Sequence, residues 1–422
     1  MTGAFGVIRI GGYEPPGVLY IAVGAALLGY CIYVFAKRFS DKKRGGANTY
    51  EKLLASLSQG ARRIEADGLA IELRDCSDRV AGKLDPRTET AGKLTRENFH
   101  KNRASLDPRL LKNEIHLFGP EHPELFTPLE FLRVQFGWVT EDRSSGVKTA
   151  KLSIECDGVT VTAYKYETPS EDANRPCMVF FHGGGFFGGV IATTENQCRL
   201  LAELSGAVVI SADYPLAPEY PYPAGFNACY ETVKWAHKNA GLLGVSRDKI
   251  AVSGDSAGGN LALCAALRSR DESLNLIAYM ALIYPTVTRA KSPGEEYYYF
   301  DKESYDNPFG DEYIAEQIEA IGKSGDSLEK WYIPEGEDPM QPYISPITAP
   351  MDSLPQALVI TVEYDYLRLE CEALSRKLAA SGVRARHIRY GGLVHGVFDR
   401  LGYAPQVEDM LREIAKDLRR LK

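Results

Sequence analysis

Basic charge, cysteine and long apolar runs are all scarce in this 422-residue chain. Lys and Arg number 49 against 56 Asp and Glu, a net charge of −7, which removes the electrostatic footprint expected of a nucleic-acid binder. Eight cysteines, at 31, 76, 156, 177, 198, 229, 264 and 371, are too few for a disulfide scaffold. None forms a CxxC pair or a clustered Cys/His spacing, so the pattern argues against a structural zinc site and no metal is assigned. Otherwise the composition, 45% hydrophobic and 25% charged, is that of an ordinary folded protein. The length suits two or three domains, or one large α/β domain with insertions.

One apolar run exceeds strand length. Val18–Ala36 holds nineteen residues without a charge, and as a helix it nearly spans a hydrocarbon core of about 30 Å. Lys37, Arg38, Lys42, Lys43 and Arg44 follow it, whereas Arg9 alone precedes it. That charge order is wrong for a cleaved signal peptide and predicts a single-pass anchor with the remainder of the chain on the cytoplasmic side. Residues 1–17 then form a short tail.

Residues 37–148 read as a charged, mostly helical linker or cap. Leu53, Leu54, Leu57 and Ala61 fall at helical spacing within Thr49–Ile64, and Thr127-Pro128 looks like a helix start running through Phe131 and Val134. From about residue 149 the texture changes. Leu152, Ile154 and Cys156 alternate with polar residues, Asp157-Gly158 makes a turn, and Val159, Val161 and Ala163 alternate again, which predicts a hairpin. Strands at Met178–Phe181, Ala207–Ser211, Ile250–Ser253, Leu276–Tyr284, Ala357–Val362 and Arg384–Tyr390 then alternate with helices at Glu195–Ser205, Phe226–Lys238, Gly259–Arg268, Cys371–Ala380 and Gln406–Leu418. The expected fold is α/β, with a mostly parallel central sheet covered by helices on both faces.

Gly254-Asp255-Ser256-Ala257-Gly258 matches G-x-S-x-G between an apolar strand and a helix-forming run, the setting a nucleophilic serine requires. No Lys follows as in a phosphate loop, and GxGxxG is absent. His182-Gly183-Gly184-Gly185-Phe186 ends an earlier strand. Acyl transfer needs main-chain N–H groups for an oxyanion, and glycines let a backbone approach a substrate carbonyl. The glycines are therefore oxyanion candidates together with the N–H of Ala257, and His182 has an orienting role beside them. Of seven histidines, His395 in a glycine-rich loop after the last strand is the best-placed base. His387 lies inside a strand, where a structural role is expected. The third member of a Ser…Asp…His order falls to Asp365, in the loop after its strand, with Glu363 and Glu370 as rivals. Phe186 and Phe187 either wall a substrate pocket or pack as core. The run Tyr297–Phe300 either lines a lid or packs within a cap.

The chain resembles the hormone-sensitive lipase-like family of α/β-hydrolases, which includes bacterial carboxylesterases and arylacetamide deacetylases. The resemblance covers residue 150 to the end and rests on HGGGF at 182–186, DYPLAPEYPYPA at 213–224, GDSAGGN at 254–260, YISP at 343–346, EYDYLRLE at 363–370 and GLVHGVF at 392–398. It implies an α/β-hydrolase fold, a Ser256–Asp365–His395 triad, and main-chain donors from Gly184, Gly185 and Ala257. Gly183 and Asp255 support them within the same motifs. It also implies a cap built from the N-terminal helices and an insertion at about 286–342, with neither metal nor organic cofactor. Tyr366-Leu-Arg-Leu-Glu370 departs from the family's usual Pro-Leu-Arg-Asp-Glu. The expected activity is hydrolysis of small or lipophilic carboxylic esters through an acyl-enzyme. Deacylation of N-acyl or carbohydrate groups, or ligand binding without catalysis, are the alternatives.

Overall fold

The computed structural model describes residues 46–87, 133, 140–156 and 159–421. The chain divides into residues 1–52 and a unit from Leu53 to Lys422. Of the first, only the opening of helix α1 (Gly46–Gln59) is described. The anchor expected at Val18–Ala36 and the helix start at Thr127-Pro128 lie outside the described residues. Among the described residues, no helix is long and apolar enough to cross a membrane.

Ten strands form one sheet: β1 (Arg62–Ala66), β2 (Leu69–Arg74), β3 (Lys148–Cys156), β4 (Val159–Glu167), β5 (Cys177–Phe181), β6 (Val208–Asp213), β7 (Ile250–Asp255), β8 (Tyr279–Ile283), β9 (Gln356–Tyr364) and β10 (Ala385–Val394). Their order is β1-β2-β10-β9-β8-β7-β5-β6-β4-β3. Pairings from β2 through β6 are parallel, and the two ends are closed by antiparallel partners, β1 on one side and β4–β3 on the other. The central strands show why. β5 and β8 are buried at every residue, as strands covered on both faces must be. β3 and β4 instead bury alternate residues, with Ile154 opposite Val161 and Leu152 opposite Ala163.

The helices follow from the crossovers. α2 (Ile191–Ser205) joins β5 to β6, α3 (Ala224–Lys238) joins β6 to β7, and α4 (Ala257–Asp271) joins β7 to β8. The step from β5 to β6 runs opposite to the step from β6 to β7. Right-handed connections therefore put α2 on one face and α3 and α4 on the other. α3 packs on α4, and the closing helix α7 (Pro405–Leu418) packs on α2. Gly206, at φ 72°, ends α2 and donates its N–H to Ala202 O; Pro405 opens α7 at a position that needs no donor. α5 (Glu312–Tyr332) lies within the insertion, capped by the Asp311 carboxylate on the N–H groups of Tyr313 and Ile314. α6 (Arg368–Ala380) joins β9 to β10.

One stretch corrects the sequence reading. Residues 62–74, expected to be helical within 37–148, form the β1–β2 hairpin, and the helix before them stops at Gln59. Asp67 (φ 49°) and Gly68 (φ 76°) make a two-residue turn in the left-handed region, which Asp-Gly favours. β2 then joins β10 in parallel, burying Leu69 and Ile71. Arg74 is buried at its end against α7, where Asp409 accepts from Nη1 at 2.7 Å and Glu413 lies 3.2 Å from Nη2.

Candidate active site

The site lies at the carboxyl ends of β5, β7, β9 and β10, where an open parallel sheet leaves room for a ligand. β7 runs into Ser256, which sits at φ 54°, ψ −117° before α4 begins at Ala257. That strained conformation turns the side chain out of the sheet. Its neighbours have no room for a Cβ: one on Gly254 would fall 2.4 Å from Gly258 C, and one on Gly258 would fall 2.0 Å from Phe181 O.

His395 follows β10 and Asp365 follows β9. The structure brings them to the serine in a continuous chain. His395 Nε2 is 2.9 Å from Ser256 Oγ, and Nδ1 is 2.8 Å from Asp365 Oδ2. Asp365 is fully buried, and its other oxygen accepts from Leu367 N–H at 2.9 Å. Burial opposes charge on His395, but the charge and hydrogen bond of Asp365, joined by Asp255 and Glu370, hold the imidazole above its ordinary pKa. The rival acids are spent elsewhere: Glu363 on Arg79 and the N–H of Gly392, Glu370 on the N–H of Val287. His387 is held between Thr361 Oγ1 and Ser375 Oγ in the core, as expected.

The glycine loop sits beside this chain. Gly184 (φ 127°) and Gly185 (φ 61°) adopt conformations that favour glycine. A Cβ on Gly184 would lie 2.2 Å from Gly188 O, whose N–H closes the turn onto Gly184 O at 2.8 Å. Among the described residues, none accepts from the N–H of Gly184 or Gly185. Ala257, as the first residue of α4, also has no intrahelical use for its N–H. His182 is buried and stacked on Tyr214 at 4.5 Å, with Nδ1 2.8 Å from Gly183 O. Asp255 ties the loop to the serine turn by accepting from Gly183 N–H at 2.8 Å. Burial pushes its carboxyl up to about 7.

Phe186 and Phe187 are both buried against the end of α5. Phe186 stacks on Tyr332 at 3.9 Å, and Phe187 meets Trp331 edge-on at 5.1 Å. In the expected lid run, Phe300 stacks on Tyr366 at 4.6 Å, next to the acid loop. Three supporting residues carry no role in the sequence reading. Tyr284 tilts against the His395 ring at 4.8 Å and accepts the N–H of Phe398. Tyr305 donates to Asp365 O at 2.9 Å, and Asn260 donates to Thr286 O and Ile344 O. Asn260 lies in GDSAGGN and was available as a signal; Tyr305, in the tyrosine-rich insertion, carried none. Among the described residues, Cys76, Asp78 and Asp85 form a cluster of potential metal ligands, but Arg87 pairs with both carboxylates.

Comparison with known proteins places this geometry in context. Residues 178–399 match the family described as alpha/beta hydrolase fold. The chain is 33% identical over 282 residues to an arylesterase of Saccharolobus solfataricus, covering 66% of this chain and 86% of the relative. It is 33% identical over 304 residues to the carboxylesterase NlhH of Mycobacterium tuberculosis, covering 70% and 89%. Among solved structures it is similar to a hyperthermophilic esterase from the archaeon Pyrobaculum calidifontis, with TM-score 0.60, 31% identity and coverage of 80% of this chain and 98% of that one.

Proposed function

This chain belongs to the α/β-hydrolase fold family, in its hormone-sensitive lipase-like branch, and hydrolyses carboxylic esters; we propose that Ser256, His395 and Asp365 perform that hydrolysis. The observation that carries the assignment is the unbroken hydrogen-bond chain from Ser256 Oγ through the imidazole to Asp365. His395 Nε2 takes the hydroxyl proton as Oγ bonds to the ester carbonyl carbon, and Asp365 stabilises the imidazolium that forms. The N–H groups of Gly184, Gly185 and Ala257 receive the negative charge on the carbonyl oxygen. Collapse of the tetrahedral adduct breaks the bond to the alcohol oxygen, which takes the proton from His395. Water then repeats the steps on the acyl-enzyme, releasing the acid and restoring the serine.

Substrates are small or lipophilic esters, and Phe186 and Phe187 line the approach to the oxyanion donors. A membrane location rests on the apolar run at 18–36 and the basic cluster after it, which together favour a single-pass anchor with the hydrolase on the cytoplasmic side.

Hydrolysis of p-nitrophenyl esters from acetyl to palmitoyl tests the assignment, alongside labelling with a fluorophosphonate. Both signals should vanish in Ser256→Ala; labelling that persists in that variant would move the nucleophile elsewhere. Because His395 must be neutral to accept the proton and its pKa is raised, kcat/KM should climb with pH through a value above ~6.5. Alkaline carbonate extraction of cell membranes tests the anchor, and release of the full chain would refute it.

A further inference from the structure

The hydrolytic steps leave two buried donors beside the glycine loop without a task. The segment after β8 runs past the nucleophile, with Thr286 N–H 3.4 Å from Ser256 O. Three residues later Arg289 sets its guanidinium over Phe186, with Cζ 5.5 Å from the ring centroid. Tyr332 stacks on the same ring from α5. Arg289 Nε, Arg289 Nη2 and the Tyr332 hydroxyl are all buried, and among the described residues none has a hydrogen-bond partner.

Arg289 as a whole is half-buried, and the arginines buried outright each have at least one acceptor. Arg74 is held by Asp409, Arg175 by Glu167 and the Thr168 carbonyl, and Arg368 by the Ser304 carbonyl. A guanidinium stays charged at any working pH, so burying its N–H groups unpaired is costly unless something supplies acceptors. Glu370 is the carboxyl that feels Arg289, but burial raises it to about 8, so it is mostly protonated at neutral pH. Its Oε1 already accepts from Val287 N–H at 2.6 Å. Tyr332 itself is kept neutral by burial. These neighbours leave an uncompensated positive charge and a hydroxyl donor, both touching the phenylalanine that directly follows the oxyanion glycines.

The geometry points to a substrate-anion subsite: Arg289 and Tyr332 bind a carboxylate carried by the ester close to its scissile bond, so the enzyme prefers esters bearing a free acid group over neutral ones. The planar fork of Arg289 suits the two oxygens of a carboxylate, and Tyr332, on the same phenylalanine, adds a further donor. The inference rests on the ester hydrolysis proposed at Ser256. It adds a selection that the triad and the oxyanion donors cannot provide.

The test uses the full chain and three esters: p-nitrophenyl butyrate, p-nitrophenyl hydrogen glutarate with its carboxylate on the acyl side, and 4-carboxyphenyl butyrate with it on the alcohol side. One charged ester should exceed the neutral ester in kcat/KM, and this identifies the side. In Arg289→Gln the ratio of charged to neutral kcat/KM should fall about 10- to 100-fold, and in Tyr332→Phe by a smaller factor. Free glutarate should compete with butyrate hydrolysis by the unaltered enzyme, a measurement that needs no variant. Equal or lower turnover of both charged esters, together with no inhibition by glutarate, overturns the subsite. If no ester is hydrolysed, the proposed function fails by itself. Calorimetric binding of glutarate to the full chain then decides the subsite: binding that Arg289→Gln abolishes supports it, and absence of binding overturns it.

Discussion

Two regions of this enzyme bury charge, and they treat it in opposite ways. At the β2–β10 edge, Arg74, Asp409, Glu413, Arg386 and Tyr390 form a matched set. Asp409 accepts from Arg74 at 2.7 Å and from the Tyr390 hydroxyl at 2.8 Å, while Glu413 accepts from Arg386 at 2.5 Å. Around the serine turn, carboxyls and cation are left short of one another. Asp255 and Glu370 accept from backbone N–H groups, and among the described residues Nε and Nη2 of Arg289 have no acceptor. Where charge only fastens the sheet to α7, each group has its complement. At the proposed reaction centre, buried donors are left without protein acceptors among the described residues.

The comparison can be broken at either end. The largest change expected is at Ser256: Ser256→Ala should lower kcat about 10⁶-fold while the thermal melting temperature stays near that of the unaltered chain. Residual turnover within about 100-fold would show that the open region is not the reaction centre. Asp365→Asn should follow, at about 10⁴-fold in kcat, because the amide favours the wrong imidazole tautomer. Arg74→Ala probes the matched region. It leaves the buried Asp409 without its cation, while Glu413 keeps Arg386, and should cost about 3–5 kcal/mol in urea unfolding, with kcat of the folded fraction little altered. A loss of kcat without a loss of stability would erase the distinction between the two regions.

The last effect is read as a slope. Glu370 keeps its proton to about pH 8 in the folded chain, whereas its unperturbed value is 4.5. Between those values the folded state holds the extra proton, so this group's contribution to stability declines as pH rises. Glu370→Gln should flatten the pH dependence of the urea midpoint across that window. An unchanged slope would mean that Glu370 ionises normally and compensates Arg289.

Much of the proposed reaction centre is legible in the residues because its demands are local. The serine turn needs glycines two residues to either side, and the histidine and the acid each sit in a loop directly after a strand. The structure assembles Ser256, His395 and Asp365 from those three loops. The hairpin at 62–74 was missed because Arg62, Arg63, Glu65 and Glu72 give it the charged texture of a surface helix. Its two-residue alternation at Leu69 and Ile71 and its Asp67-Gly68 turn were present but brief. Neither the partnership of Arg74 with Asp409, 335 residues away, nor the isolation of Arg289 leaves a mark on local sequence. Both depend on what the fold brings alongside.

The link from Asp255 to Gly183 has a mechanical consequence. Asp255, immediately before Ser256, grips the glycine loop through Gly183, so the serine turn and that loop cannot separate at this end of β5 and β7 without breaking the bond. On the proposed mechanism this tether adds to the pairing of Phe181 with Gly254 in holding the attacking oxygen and the receiving amides at one spacing.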